Sequence, residues 1–578
     1  MENEINDKFE YSPLKDDSSY GDSNTPGAWG IRLIQLQPPS GQFISCSLIH
    51  TSLGATDGHY EALSYVWGKP ECTERILVNG KMLSITSNLA SALRRLRYPR
   101  SPRRLWIDAI CINQENVEEK NLQVGRMWAI YALASQVIID LGEETWNSSL
   151  GMNMIQRLAN AGNSPQEILD FFNKSSDHKF SVACKGMRDI FDRPWWSRVW
   201  IVQEVAVASR AVVICGDRSL MWSDFEKVVE ILTDLSFRPE KYVKAYMADI
   251  RFLYLPSVHL APAWSVSTAR KRFRVSEEHS LAATMISFKS THATDPRDHL
   301  YGLLRLFSSF QPIVPDYTRT PSSVFMDVVR LSIKSDVGLA IFSALDYGNN
   351  RLDLPSWCPD WTAPSPANFP FYMPIFRCTK TKEVNSIFDG RMLTIRGIRL
   401  ENITKTGSPS SIRMMLPLEE IYEAANSLRP HGMNPLDFTR RVAEFIERLT
   451  TIFARERYYT DASATGDLKD RMIAQIYGTW RMRRTLEIAS NPGSYTLGVQ
   501  HLSDKSALGV LNLSKDTQIL NIAHGRRIFI TENGELGLAP SASQGGDIVV
   551  ALYGGRTPFC LRPISATGDT SYEIIGDW

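Results

Sequence analysis

The feature that most constrains the fold is an alternation of apolar strands and helical segments between residues 105 and 216. Three short apolar runs, at 105–112, 137–142 and 211–216, are separated by stretches with helical patterns. Such nearly continuous apolar runs are typical of parallel strands that are buried on both faces. The pattern therefore predicts an α/β domain in which helices flank a mostly parallel sheet.

Local signals before and within this alternation predict where further turns and helices lie. Asn79-Gly80 joins two apolar runs, which is the strongest short signal for a β-hairpin. Ser87 is the expected N-cap of the helix that follows. Asn116, with Glu119 three residues later, resembles a capping box for the next helix. A further helix is expected to begin near Asp192 and Pro194 and to continue without a break through 208.

The 578 residues exceed the size of one domain, and changes in composition suggest four segments. Residues 1–27 are polar and predict a disordered leader. Residues 28–310 form the α/β domain, and 311–365 are expected to be a helical cover that ends in a proline-rich boundary. Residues 366–578 predict a smaller α+β unit, with helices at 416–486 and short strands after them.

Charge and cysteine usage limit the classes of partner. Lys plus Arg number 64 against 63 Asp plus Glu, so no global field attracts nucleic acid. The arginine-rich run at 94–104 offers either a phosphate-binding patch or an ordinary solvated surface. Eight cysteines lack metal-ligand spacing and fit a reducing compartment. With no secretory signal and no membrane span, we expect a cytoplasmic protein without a bound metal or a nucleic-acid partner.

No common catalytic motif is present, so the candidate site rests on polar residues at strand ends, where open parallel sheets bind ligands. Ser64, Tyr65 and Trp67 follow one predicted strand, and Asp108 lies within another. Asp108 is either an acceptor for ribose hydroxyls or a cap for loop amides. Trp67 either stacks on a base or nicotinamide ring or packs in the core. The nearby Cys111 has no histidine beside it in sequence, which disfavours a catalytic thiol.

Glu204 is the most informative single residue, because it lies in an apolar helix that follows a group of tryptophans including Trp200. A carboxylate in such surroundings can stabilise a developing positive charge, as in glycosidic cleavage. The alternative is an ion pair with Arg193 or Arg198 that joins the helix to the sheet. Spacing alone leaves both roles open.

Four blocks of sequence resemble signatures of the fungal heterokaryon-incompatibility (HET) domain. They occur in the family's order over roughly 60–305 and read YEALSYVWG, LWIDAICINQENVEEKNLQVGRMWAIYALASQVIIDLG, RPWWSRVWIVQEVAVA and DPRDHLYGLL. The resemblance implies a role in non-self recognition and programmed cell death when different hyphae fuse, with an allelic or death-pathway protein as partner. Relatives usually continue beyond the equivalent of Trp578, so a shortened C-terminal unit is expected.

A fainter similarity to Toll/interleukin-receptor (TIR) domains suggests a mechanism. SRVWIVQEV resembles the TIR segment that carries the glutamate used to hydrolyse NAD, and Glu204 matches that glutamate. The resemblance implies a TIR-like sheet and NAD as a substrate, with no resident cofactor. Glu204 would contact the ribose, Trp67 or Tyr65 would stack, and further residues would line the site: Ser64, Asp108 and Trp200. The alternative is a non-enzymatic module that self-associates and recruits a death partner.

Overall fold

The structure of the chain is a computed structural model in two compact units, Met1–Val324 and Phe325–Trp578. Apart from isolated positions and short gaps, it describes residues 8–161, 177–237, 260–275, 280–307, 313–363, 386–408, 526–564 and 571–577, with scattered residues between 425 and 445. The helices predicted at 416–486 lie almost entirely outside the described residues.

The first unit is built on a nine-stranded sheet in the order β5-β4-β2-β1-β6-β3-β7-β8-β9. In chain order its strands are β1 (Gly30–Leu36), β2 (Ile44–Ser52), β3 (Glu61–Tyr65), β4 (Glu74–Val78), β5 (Lys81–Ile85), β6 (Arg103–Trp106), β7 (Gln136–Asp140), β8 (Ala211–Cys215) and β9 (Arg218–Met221). The central strands β6, β3, β7 and β8 are parallel. The α/β prediction is confirmed, and antiparallel pairs on both sides of this centre make the sheet mixed.

Helices surround this sheet. They are α1 (Ser87–Leu96), α2 (Asp108–Cys111), α3 (Val117–Leu133), α4 (Trp146–Asn160), α5 (Asp177–Phe191), α6 (Ile201–Ala206), α7 (Trp222–Phe237), α8 (Ala261–Arg274), α9 (Leu281–Ser287) and α10 (Asp298–Tyr301), and α11 (Pro321–Ile333) crosses the boundary between the units. Asn116 caps α3 as predicted, because its side chain accepts from the Glu119 N–H at 3.0 Å. Thr86, rather than Ser87, caps α1.

The hairpin prediction is confirmed. Asn79 and Gly80 both adopt left-handed backbone, with φ of 51° and 79°, between β4 and β5. Left-handed geometry at both central positions is what a two-residue turn needs to match the twist of its strands.

The apolar run at 105–112 is not one strand, contrary to the prediction. The strand β6 ends at Trp106, which pairs with Ala62 of β3 and is the last residue of β6 that pairs with that strand. The chain then turns into α2, where the Asp108 carbonyl accepts from the Ile112 N–H at 3.2 Å and from the Gln114 side chain at 3.0 Å. Apolar composition alone could not distinguish a buried strand from a buried helical turn.

The continuous helix expected from Asp192 is also interrupted. A 3₁₀ turn covers Pro194–Ser197, and α6 begins at Ile201. Between them Arg198 forms a β-bridge with His292, and the Val199 N–H donates to the His292 carbonyl at 3.1 Å. A pairing partner almost a hundred residues away therefore breaks the helix.

The N-terminal segment differs most from its prediction. Residues 1–27 were expected to be a disordered leader, yet residues 8–20 pack against the rest of the first unit. Phe9 is buried, and its N–H donates to the Met82 carbonyl at 2.9 Å on the edge strand β5. Two hydrogen bonds of 2.8 Å join Asp16 to Arg126 in α3. Composition predicted disorder because the segment is polar. Its polar side chains are instead ordered by partners in distant segments, which composition does not reveal.

The second unit contains a two-stranded ribbon, β10 (Ser386–Asp389) with β11 (Met392–Ile395), and a six-stranded antiparallel sheet. The sheet has the order β14-β13-β12-β15-β16-β17, from β12 (Gly397–Thr406), β13 (Arg526–Thr531), β14 (Leu536–Pro540), β15 (Ile548–Leu552), β16 (Phe559–Pro563) and β17 (Tyr572–Asp577). A Cβ on Gly576 would lie 2.6 Å from Pro540, so the edge strands β17 and β14 approach each other. The sheet therefore curls toward a barrel. In the described part of the chain, no helix is long and apolar enough to cross a membrane.

Candidate functional site

The candidate site lies at the carboxyl ends of two adjacent parallel strands. Ser64 and Tyr65 end β3, and Asp108 follows β6 at the start of α2. Because β3 and β6 are parallel neighbours, these three residues meet at one edge of the sheet. The short helix α6 brings Glu204 to the same place. We call Ser64, Asp108, Arg198 and Glu204 the carboxylate cluster.

Glu204 is the buried centre of this cluster, with 1% of its surface exposed. Its Oε2 accepts a hydrogen bond from the Ser64 hydroxyl. The Ser64 oxygen in turn accepts from the indole N–H of Trp195 at 2.8 Å, whereas the Tyr131 hydroxyl donates to the Leu63 carbonyl at 3.0 Å. Burial raises the pKa of Glu204 to about 7, although Arg198 and Ser64 partly oppose this rise. The carboxyl group therefore changes its charge near neutral pH.

Arg198 is the cation that Asp108 and Glu204 share. Its Nη1 lies 3.9 Å from Glu204 Oε2, and it also lowers the pKa of Asp108. Burial nevertheless raises the pKa of Asp108 above its ordinary value. Nη1 of Arg198 is buried and makes no hydrogen bond within the described residues. One guanidinium facing two desolvated carboxyl groups leaves an excess of negative charge, which a proton on one of the carboxyl groups relieves.

Trp67 and Tyr65 flank the cluster on different sides. Trp67 is 37% exposed, and its indole N–H donates to Asp108 Oδ2 at 3.0 Å. The other carboxylate oxygen of Asp108 accepts the Ala109 N–H at 2.7 Å, so Asp108 acts as a cap for a local amide. Tyr65 is buried, and burial holds its pKa well above the ordinary value. Of these two aromatic side chains beside the carboxylate cluster, Trp67 is therefore the one that solvent reaches.

Trp200, the remaining predicted site residue, makes its polar contact elsewhere. Its indole N–H donates to Asp298 Oδ2 at 3.2 Å, and the Tyr317 hydroxyl donates to Oδ1 at 2.5 Å. Desolvation raises the pKa of Asp298 to about 6. Sequence reasoning did not single out Asp298, although it lies in the fourth signature block, and no local signal pointed to Trp195 as the donor to Ser64.

Two other sequence candidates have structural roles. Cys111 is buried, and desolvation raises its pKa to about 12, so its thiol is protonated at neutral pH. In the run at 94–104, Arg95 pairs with Asp140 at 2.6 Å and Arg103 pairs with Glu61. The described residues contain no group of three or more His, Cys, Asp and Glu side chains that could hold a metal ion.

Comparisons with known proteins find two matching family models and a similar fungal protein. Residues 60–204 match the family model for heterokaryon incompatibility protein (HET), and residues 505–578 match the Het-6 β-barrel domain. The chain is also similar to heterokaryon incompatibility protein 6, OR allele, of Neurospora crassa. The two are 26% identical over 659 aligned positions, which cover 95% of this chain and 92% of the relative. No solved structure matches the chain.

The HET match begins just before β3 and ends at Glu204. It therefore spans the whole carboxylate cluster. The match to the HET model agrees with the resemblance of the first three signature blocks, and the fourth block, at 295–304, lies outside the matched residues.

Proposed function

We propose that this chain, which carries a HET domain, acts in fungal heterokaryon incompatibility. The observation that supports this role is the presence of two family matches in one chain, the HET domain before the Het-6 β-barrel domain. A relative named for incompatibility aligns over nearly the whole length of both proteins. The role is the rejection of a genetically different partner after hyphae fuse, and it ends in death of the fused compartment.

Expression of the full chain in a fungal strain that lacks it tests this role. Compartment death should follow fusion with an incompatible strain and should be absent after self-fusion. The matched control is the chain with Trp195→Ala, which removes a buried ring and the donor to Ser64 from the centre of the HET domain. Equal survival in compatible and incompatible fusions, with the intact protein present, would refute the proposal.

Within this role the closed geometry of the carboxylate cluster best supports a non-enzymatic signalling module. A catalytic carboxylate must touch its substrate, but Glu204 is 1% exposed and is held by Ser64 and Arg198. In this form the cluster fixes α6 against the end of β3. The domain would then act by self-association and by recruiting a death-pathway protein.

Hydrolysis of NAD is the second candidate. It is favoured by the meeting of Glu204, Asp108 and Trp67 in one cluster, with the Trp67 ring at its exposed side. Once the cluster opened, the Glu204 carboxylate would stabilise the oxocarbenium-like ribose and Trp67 would stack on the nicotinamide ring. No resident cofactor is needed, because NAD is the substrate and nicotinamide is the leaving group.

Three variants separate the two mechanisms. Glu204→Gln removes the charge with little change in shape, Glu143→Gln is the same change at an exposed position, and Leu122→Glu alters an exposed apolar residue of α3. The signalling module predicts that only Leu122→Glu lowers toxicity and oligomer size. Catalysis instead predicts that Glu204→Gln lowers NAD consumption by about 10²- to 10⁴-fold and removes toxicity.

A further inference from the structure

The N-terminal segment makes polar contacts with the helix that carries Asp108. We call residues 8–20 the N-terminal strap. The Tyr11 hydroxyl donates to the Ile110 carbonyl in α2 at 3.0 Å. Arg32, which is buried, contacts both sides of this junction: it lies 5.0 Å from the Tyr11 ring centroid, and its guanidinium donates to the Ser12 carbonyl at 2.7 Å and to the Cys111 carbonyl at 3.1 Å.

These contacts satisfy groups that α2 cannot satisfy by itself. A helix leaves the carbonyls of its last turn without intrahelical partners, and in a helix of four residues these are a large share of the total. Tyr11 supplies the donor for Ile110, and Arg32 supplies the donor for Cys111. Without the strap, the Ile110 carbonyl loses the donor Tyr11, and the C-terminal end of α2 is held less firmly, through Arg32 at Cys111.

The strap is held at three further places along its length. Lys8 forms a β-bridge with Met82, which covers part of the edge strand β5. Asp16 accepts from the Gly30 N–H at 2.9 Å and binds Arg126 through both of its carboxylate oxygens. The hydrogen bonds from Arg126 hold the pKa of Asp16 below its ordinary value. The strap is thus attached to β5, β1 and α3 as well as to α2.

One glycine makes this close approach possible. A Cβ on Gly30 would lie 2.2 Å from the carbonyl oxygen of Lys15, which is a severe steric clash. Gly30 lies in a regular strand and is not among the positive-φ residues, so alanine fits its backbone and collides only with the strap. Gly30→Ala therefore displaces the strap without removing any of its own side chains.

We infer that the strap sets the position of Asp108, and that Tyr11 is the positioning residue through which it acts. Asp108 is the first residue of α2 and holds the Trp67 indole, so movement of α2 changes the exposed side of the carboxylate cluster. Release of the strap opens this side, and docking of the strap keeps it closed. The inference rests on the second candidate function, in which the carboxylate cluster opens to admit a substrate.

Hydrogen exchange of the full chain, read at segments 9–17, 64–68 and 107–113, tests the inference without any measurement of incompatibility or of NAD. Tyr11→Phe removes one hydrogen bond and should speed exchange in 107–113 about fivefold while 9–17 stays protected. Gly30→Ala should speed exchange more than about tenfold in all three segments. Asp57→Asn is the matched control, since Asp57 lies in an exposed turn where its side chain pairs with His59.

A strap that serves only stability would loosen the whole first unit, so exchange in β7 and β8 would rise in parallel with that in 107–113. That result would overturn the inference. Faster exchange of 9–17 in Gly30→Ala, with 107–113 unchanged, would overturn it as well. If Gly30→Ala does not fold, Tyr11→Phe alone decides, because it leaves the contacts of Asp16 intact.

Discussion

Replacement of Glu204 by glutamine is expected to stabilise the first unit at alkaline pH and to have little effect at acidic pH. The pKa of Glu204 is raised from 4.5 to about 7, so between these pH values the folded chain binds a proton that the unfolded chain does not. Stability then falls as pH rises. At about 1.4 kcal/mol per pKa unit, the native state loses about 3 kcal/mol between pH 4.5 and pH 8.

Glutamine resembles the protonated acid in shape and charge, and its side-chain oxygen still accepts from Ser64. The variant therefore lacks this pH dependence. Relative to the natural chain, its free energy of unfolding should rise by about 2.5 kcal/mol from pH 5 to pH 8. Urea unfolding at several pH values measures this difference, and hydrogen exchange assigns it to the first unit.

The matched control is Glu143→Gln. Glu143 is exposed, and its hydrogen bond with Ser91 lowers its pKa, so the trend with pH should be small and opposite in sign. If Glu204→Gln were equally stable at all pH values, or lost stability toward pH 8, the carboxylate would be charged and held by Arg198. Either result would refute the conclusion that burial raises the pKa of Glu204.

Three further substitutions test packing and polar contacts. Ser64→Ala removes the donor to the buried Glu204 carboxyl group, and urea unfolding at pH 6 should show a loss of about 1 to 3 kcal/mol; a loss below about 0.5 kcal/mol would contradict the hydrogen bond. Asp577→Asn breaks a buried ion pair with Arg526 and should cost the second unit about 3 to 5 kcal/mol in thermal unfolding, whereas an unchanged melting temperature would contradict that pairing. Gly151→Ala places a Cβ 2.2 Å from the Gly186 carbonyl and should speed hydrogen exchange at 182–191, and unchanged exchange there would contradict the close packing of α4 on α5.

Much of the first unit could be predicted from local patterns. The apolar runs at 137–142 and 211–216 predicted β7 and β8, and Asn79-Gly80 predicted the hairpin. The predicted strand end also placed Ser64 at the ligand-binding edge of the sheet, whereas Asp108, expected inside a strand, reaches that edge because β6 ends at Trp106. These features depend on side-chain periodicity and on backbone preferences of single residues, which the sequence contains directly.

The remaining features depend on partners that lie far along the chain. Tertiary structure decided that Tyr11 contacts α2, that His292 interrupts the helix before Ile201, and that Glu204 faces Ser64 from inside the core. Each is a hydrogen bond between segments more than ninety residues apart. The sequence by itself determined the strands β7 and β8, the hairpin turn and the α/β class of the first unit. Only the tertiary structure decided which buried polar groups have hydrogen-bond partners, because those partners come from segments that packing brings together.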